Sequence, residues 1–185
     1  MATDPFYTKL TVDEFLAMDF GDRKVELVDG VIYSMTGGRR SHMRVQGNIL
    51  SYLRQALRGS DCSAYADFGV KVGNNTAYYP DVSVECGRPD LGLQDDDLLA
   101  QRPTVLIEVL SPTTRNHDEK TKLPQYLEID SVDTVALVDP DAETIRVVQR
   151  LGPAAWKNEL LATTGDLHLP LPGVTIPRAE IFARD

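Results

Sequence analysis

The chain has 185 residues, 42% of them hydrophobic and 25% charged, an ordinary globular balance that excludes intrinsic disorder and predicts one domain over residues 1–185. Its 19 Lys and Arg stand against 28 Asp and Glu, a formal net charge of −9, which excludes tight non-specific wrapping of nucleic acid but leaves room for a local basic track. No stretch approaches the roughly 18 apolar residues that cross a bilayer, and the start has no basic region followed by an apolar run, so a cytoplasmic protein without a membrane partner is expected.

In chain order, Thr11 followed three residues later by Glu14, ahead of Phe15 and Leu16, predicts a capping box opening a short helix that ends near Gly21. Two runs of β-branched and aromatic residues then flank Asp29-Gly30, a strong hairpin signal, with Glu26 on the first strand. Val45, Ile49, Leu53 and Leu57 recur at every fourth position. Residues 41–58 therefore form an amphipathic helix capped by Ser41, with Arg44, Arg54 and Arg58 on its polar side. Three strands follow over 64–72, 78–86 and 104–110, and the almost unbroken apolarity of the last marks it as central. The Gly-, Pro- and Asp-rich segment 87–103 reads as a surface loop. Its Asp95, Asp96 and Asp97 lack the spacing of a calcium loop and read as a solvated charge run. Lys122 to Leu127 is expected to be helical with Thr121 as cap, because Pro124 is tolerated in a first turn. A second hairpin, 134–139 with 144–150, turns at Pro140-Asp141, and short strands and loops close the chain. Cys62 and Cys86 form no CxxC pair and have no histidine cluster nearby, so two reduced, partly buried thiols are expected.

Chemistry concentrates in two of these strands. Alternation in Tyr79-Pro80-Asp81-Val82-Ser83-Val84 puts Asp81 and Ser83 on one face and Val82 and Val84 on the other. Glu108 is the single charge in the run from Val105 to Leu110, where a lone carboxylate faces a desolvation penalty of several kcal/mol. In one arrangement Asp81 and Glu108, on neighbouring strands, converge on a hard divalent cation whose shell is completed by water. In the other, Glu108 points outward at the strand end or pairs with Arg115 or Lys122. His42, just after the expected cap, is placed to contact a phosphate or a metal-bound water, its alternative being a capping or surface histidine. His117 and His168 show no ligand spacing.

Pro80-Asp81, Glu108-Val109-Leu110-Ser111-Pro112 and the later Asp118, Lys122 and Tyr126 resemble the Uma-two family of restriction endonucleases, a branch of the PD-(D/E)xK superfamily. The resemblance also takes in residues 25–30, Ser41-His42, Gly47-Asn48 and Leu137-Val138-Asp139 in the family's order, and so covers most of the chain. It implies a restriction-endonuclease-like α/β fold, a central mixed sheet flanked by helices, with an N-terminal helix and β-hairpin. It further implies a catalytic set of Asp81, Glu108, Lys122, Glu26 and His42. Asp81 and Glu108 would bind Mg²⁺ or Mn²⁺, with the Val109 carbonyl and Glu26 as additional ligands. The alternative for Glu26 is a surface charge on a hairpin strand. The superfamily's lysine normally stands two places after the second acid, where this chain has Leu110. The implied replacement is Lys122 from the following helix, with Lys120 as second candidate, and Tyr126 is expected to pack against or orient that lysine. The implied function is metal-dependent hydrolysis of DNA by a homodimer, with no organic cofactor. A competing reading keeps the fold as a catalytically silent homodimeric nucleic-acid-binding or accessory module, favoured by the net charge and the displaced lysine. A Ser or Cys hydrolase is set aside, because the chain has no Gly-x-Ser-x-Gly elbow and no Cys/His arrangement.

Overall fold

Two β-sheets meet at the short segment that carries Pro80-Asp81. The computed structural model describes residues 8–35, 37–87 and 96–184. Residues 1–7 and 88–95, the latter holding much of the expected acidic loop with Asp95, lie outside the described residues.

Helix α1 (Val12–Leu16) opens with the expected capping box: the Glu14 N–H donates to Thr11 Oγ1 and the Thr11 N–H donates to the Glu14 carboxylate. It stops short of Gly21, because the chain turns and packs Phe20 on Phe15, ring centroids 5.2 Å apart. Strands β1 (Val25–Val28) and β2 (Val31–Ser34) pair across Asp29-Gly30, whose φ values of 50° and 79° are those a two-residue hairpin demands.

Helix α2 (Arg40–Ala56) begins one residue before Ser41, so Arg39 is the N-cap and no side chain caps it. Its buried Val45, Ile49 and Leu53 pack, with the following Leu57, on Val82, Val84, Val105 and Ile107 of the larger sheet. Each such fully buried side chain stabilises the fold by about 1.5–3 kcal/mol.

The two strands expected over 64–72 and 78–86 each break in the middle. Asp67, at φ 51°, turns the chain from β3 (Cys62–Ala66) to β4 (Val70–Val72). Pro80, with no N–H to give a ladder, separates β5 (Thr76–Tyr78) from β6 (Val82–Cys86). Each break moves the chain between sheets. One sheet is ordered β2-β1-β5-β4. The other adds β7 (Pro103–Val109), β8 (Thr134–Asp139), β9 (Thr144–Gly152) and β10 (Ala155–Leu161), in the order β10-β9-β8-β7-β6-β3. All seven residues of β7 are buried, as expected of a central strand.

Strands β7 and β8 are parallel, and a parallel pair requires a crossover. It is supplied by α3 (Arg115–His117), a π-helical turn (Asp118–Lys122) and α4 (Leu123–Tyr126). The helical path thus begins well before the expected Thr121 cap. Pro124 has no N–H to return to the preceding turn, and the wider π turn absorbs it without ending the helix. Leu123 and Tyr126 of α4 pack on Leu106, Val135 and Leu137 on the sheet face away from α2. A two-stranded ribbon, β11 (Leu167–Leu169) with β12 (Val174–Ile176), and helix α5 (Arg178–Ile181) complete the α2-side core.

Cys62 and Cys86 are disulfide-bonded, correcting the expected pair of reduced thiols. They stand directly opposite each other in the β3–β6 pairing, Cα atoms 4.1 Å apart. Sheet register creates that contact, and nothing local in the sequence announces it. No helix of the described residues is long and apolar enough to cross a membrane.

Candidate active site

The β7–β8 crossover leaves from the C-terminal end of β7, where Glu108 stands, so strand ends and crossover helix share one crevice. Pairing of Val82 with Ile107 sets Asp81, the residue before β6, beside Glu108. Asp81 Oδ2 accepts the Val109 N–H at 2.7 Å, which ties the first acid to the strand of the second.

Helix α2 holds Asp81 from the other side. His42 Nε2 lies 3.2 Å from Asp81 Oδ2, and Gln46, one turn later, donates from Nε2 to the Asp81 carbonyl at 2.9 Å. The hydrogen bond to Asp81 raises the His42 pKa, against the opposing effect of burial. Its Nδ1 is buried with no hydrogen-bond partner among the described residues. Gly38 lets the backbone pass close by: a Cβ there would sit 2.8 Å from Nδ1.

Lys122 stands at the centre of a buried ion cluster. With 4% of its side chain exposed, its Nζ lies 2.8 Å from Glu26 Oε1, 3.3 Å from Glu108 Oε1 and 3.8 Å from Asp118 Oδ1. Glu26 Oε1 also accepts the Tyr79 N–H at 3.0 Å, and Glu108 Oε1 accepts the Tyr126 hydroxyl at 2.7 Å. Burial by itself would discharge the ammonium, but Glu108 and Glu26 beside it prevail and push its pKa up. Burial pushes Glu108 well above the usual carboxylate range; Lys122 opposes the rise and Asp81 adds to it. Asp118 is raised for the same first reason. Tyr78, whose ring centroid is 5.4 Å from Lys122 Nζ, is pushed up to about 12 by burial and by Glu26.

The crossover is also clamped at its start. Arg115 Nη2 pairs with Asp139 Oδ2 at 2.5 Å, while Asp139 Oδ1 accepts the N–H groups of Asp141 and Ala142 in the β8–β9 turn.

The structure thus brings Asp81, Glu108, Lys122, Glu26 and His42 together and leaves Lys120 exposed. Glu26 is 4% exposed, so it is no surface charge, and its carboxylate is turned to Lys122. Glu108 pairs with Lys122, whereas Arg115 is taken by Asp139. Tyr126 bonds to Glu108 and not to the lysine. Leu110, at the superfamily's usual lysine place, is buried in the apolar cluster with Leu106 and Leu123. Gln46 is not among the residues singled out from the sequence, and Asp118 stands among the residues of the family resemblance without a role. The available signal was helical spacing, since Gln46 stands four after His42 and Asp118 four before Lys122.

Asp81, Glu108, His42, Asp118 and Lys122 line a cavity of about 360 Å³. Every hydrogen bond and ion pair of Asp81's carboxylate falls on Oδ2, and every one of Glu108's on Oε1, leaving Oδ1 and Oε2 unengaged among the described residues. No group of three or more His, Cys, Asp and Glu side chains among the described residues is placed to hold a metal ion. Two carboxylates in a site rich in negative charge still fit Mg²⁺ or Mn²⁺, since Mg²⁺ keeps several waters and takes only one or two protein carboxylates.

A central mixed sheet with an acid at the start of one strand, a second acid on the next and a lysine on the crossover beyond it defines a restriction-endonuclease-like fold. Residues 12–179 match the family described as "Uma2: Putative restriction endonuclease", and the chain belongs to that family. The fold also matches a crystal structure from Anabaena variabilis ATCC 29413, described as "a putative nuclease belonging to DUF820", with a TM-score of 0.76. That match has 19% identity and covers 94% of this chain and 98% of the other. The chain is 28% identical over 153 residues to "Uncharacterized protein slr1290" of Synechocystis sp. (strain ATCC 27184 / PCC 6803 / Kazusa), covering 81% of this chain and 79% of the relative. It is 23% identical over 163 residues to "Uncharacterized protein sll1609" of the same strain, covering 86% and 92%.

Proposed function

We propose that the protein is a metal-dependent nuclease hydrolysing DNA phosphodiester bonds at Asp81, Glu108 and Lys122. The observation that carries this reading is the adjacency of two acids, each with one oxygen unengaged among the described residues, in a cavity that also holds a buried lysine. Asp81 and Glu108, with the Val109 carbonyl as a further ligand, would hold a divalent cation, which would supply Lewis acidity and lower the pKa of water. Lys122, kept cationic by Glu26, Glu108 and Asp118, orients the attacking water and offsets charge developing on the phosphate oxygens. Glu26 fixes the ammonium, and Tyr126 fixes the Glu108 oxygen that the lysine touches. His42 holds Asp81 in register through Nε2 and lines the cavity. The homodimer expected from the family would present one such cavity to each strand of a duplex.

The test is incubation of the purified chain with supercoiled plasmid and with circular single-stranded DNA, in Mg²⁺ or Mn²⁺ and with chelator. Cleavage that chelator abolishes supports the reading. Intact DNA under both metals, with the circular dichroism of a folded protein, overturns it in favour of the accessory module, which a net charge of −9 suits.

A further inference from the structure

Beside the catalytic cavity lies a second one, of about 470 Å³, that the proposed chemistry does not use. Its walls carry three half-buried aromatic rings: Phe20 from the turn after α1, Phe68 from the turn between β3 and β4, and Tyr79 from the segment leading to Asp81. Two of these rings rest on further aromatic rings, and Phe15 also lines the cavity. Phe68 packs on Tyr65 with centroids 5.0 Å apart, and Phe20 on the buried Phe15 at 5.2 Å.

The two cavities share a wall. Asp67 lines both, and Lys24 Nζ pairs with its Oδ2 at 2.8 Å, so the partition is a neutralised ion pair. Arg23 lines the aromatic cavity, whose wall also carries Asp67 and Asp97, and the next residue, Lys24, lines the catalytic one. Flat apolar rings in a concavity of small-molecule size, sharing a wall with the proposed phosphodiester site, match a base and its backbone.

We propose that the aromatic cavity binds a nucleobase of the same DNA strand whose phosphate enters the catalytic cavity. A base seated there is unstacked and unpaired. Single-stranded DNA offers it directly, and a duplex offers it only where it is melted or the nucleotide is flipped out. The placement of the phosphate rests on the nuclease reading above, whereas the base site stands on its own residues.

The test reads binding alone, with Ca²⁺ in place of Mg²⁺, by fluorescence anisotropy of the full chain. The probes are a labelled oligothymidylate and a strand of equal length whose sugars carry no bases. The expected result is binding of the oligothymidylate on the order of tenfold tighter than the abasic strand. Phe68→Leu keeps apolar bulk against Tyr65, and both it and Phe20→Leu are expected to reduce that preference, leaving abasic affinity unchanged. Equal affinity for the two strands in the wild-type protein, no binding of either, or a preference that survives both substitutions overturns the proposal. Base-dependent binding together with intact DNA in Mg²⁺ upholds the base site and sinks only the nuclease reading.

Discussion

Lys122→Met removes the cation from among Glu26, Glu108 and Asp118 while keeping an unbranched apolar stem. Deleting one partner of a buried ion pair costs about 3–5 kcal/mol, a large part of the roughly 5–15 kcal/mol that holds a domain together. The loss is predicted to depend on pH. Burial raises the folded-state pKa of Glu108 and Asp118, and Lys122 now restrains both, so its removal drives them higher. A carboxyl group whose folded pKa lies above its unfolded value favours the fold below the unfolded pKa and loses that contribution as pH rises through the folded pKa. The deficit of the variant is therefore small near pH 4, around the unfolded glutamate pKa, and grows to its full size toward neutrality. Urea unfolding followed by fluorescence of the single tryptophan, Trp156 on β10, measures it, since that indole is seated 4.2 Å from the Arg150 guanidinium in the native state. A deficit under about 1 kcal/mol at neutral pH, or one of equal size in acid, would refute a charged lysine within a buried acidic cluster.

Asp139→Asn has the opposite pH signature: burial raises the Asp139 pKa, but the Ala142 N–H and Arg115 outweigh it and hold the carboxyl low. Its stabilising contribution is predicted to be full above about pH 4 and to vanish as pH falls through the folded value, so a wild-type-to-variant gap that persists in strong acid contradicts the Arg115 clamp. Gly38→Ala presses a Cβ on the His42 ring, and the cleavage rate is predicted to fall about tenfold or more with little change in urea midpoint. A wild-type rate would show that His42 need not sit where it does. Denatured, unreduced protein is predicted to take up no iodoacetamide at Cys62 or Cys86, and reduction to cost about 3 kcal/mol for their 24-residue separation. Two adducts without reductant would contradict the disulfide.

Local signals hold in part: Ser41 and Thr121, which read as caps, lie inside helical turns instead. The Thr11/Glu14 box, the Asp29-Gly30 hairpin and the central β7 each follow from residues adjacent in sequence. Glu108 was conspicuous because a charge inside an apolar strand has to be compensated. The remainder depends on contacts between distant segments. Asp67 and Pro80 switch the chain between sheets, which strand propensity alone does not reveal, although the missing N–H of Pro80 was a clue. The Cys62–Cys86 bond exists because register sets β3 against β6. Arg115 was a candidate partner for Glu108 but meets Asp139, because the parallel crossover places the start of its helix at the end of β8. Glu26 reaches Lys122 from the other sheet, across 96 residues of chain.

Single-turnover cleavage of single-stranded DNA in Mg²⁺, compared between wild type and Asp81→Asn, bears most directly on the proposed chemistry. Asparagine preserves the size of the side chain but removes the charge that would hold the cation beside Glu108. The predicted result is a loss of at least about a hundredfold in rate with an unchanged urea midpoint. Cleavage by Asp81→Asn at the wild-type rate would contradict a nuclease built on Asp81 and Glu108.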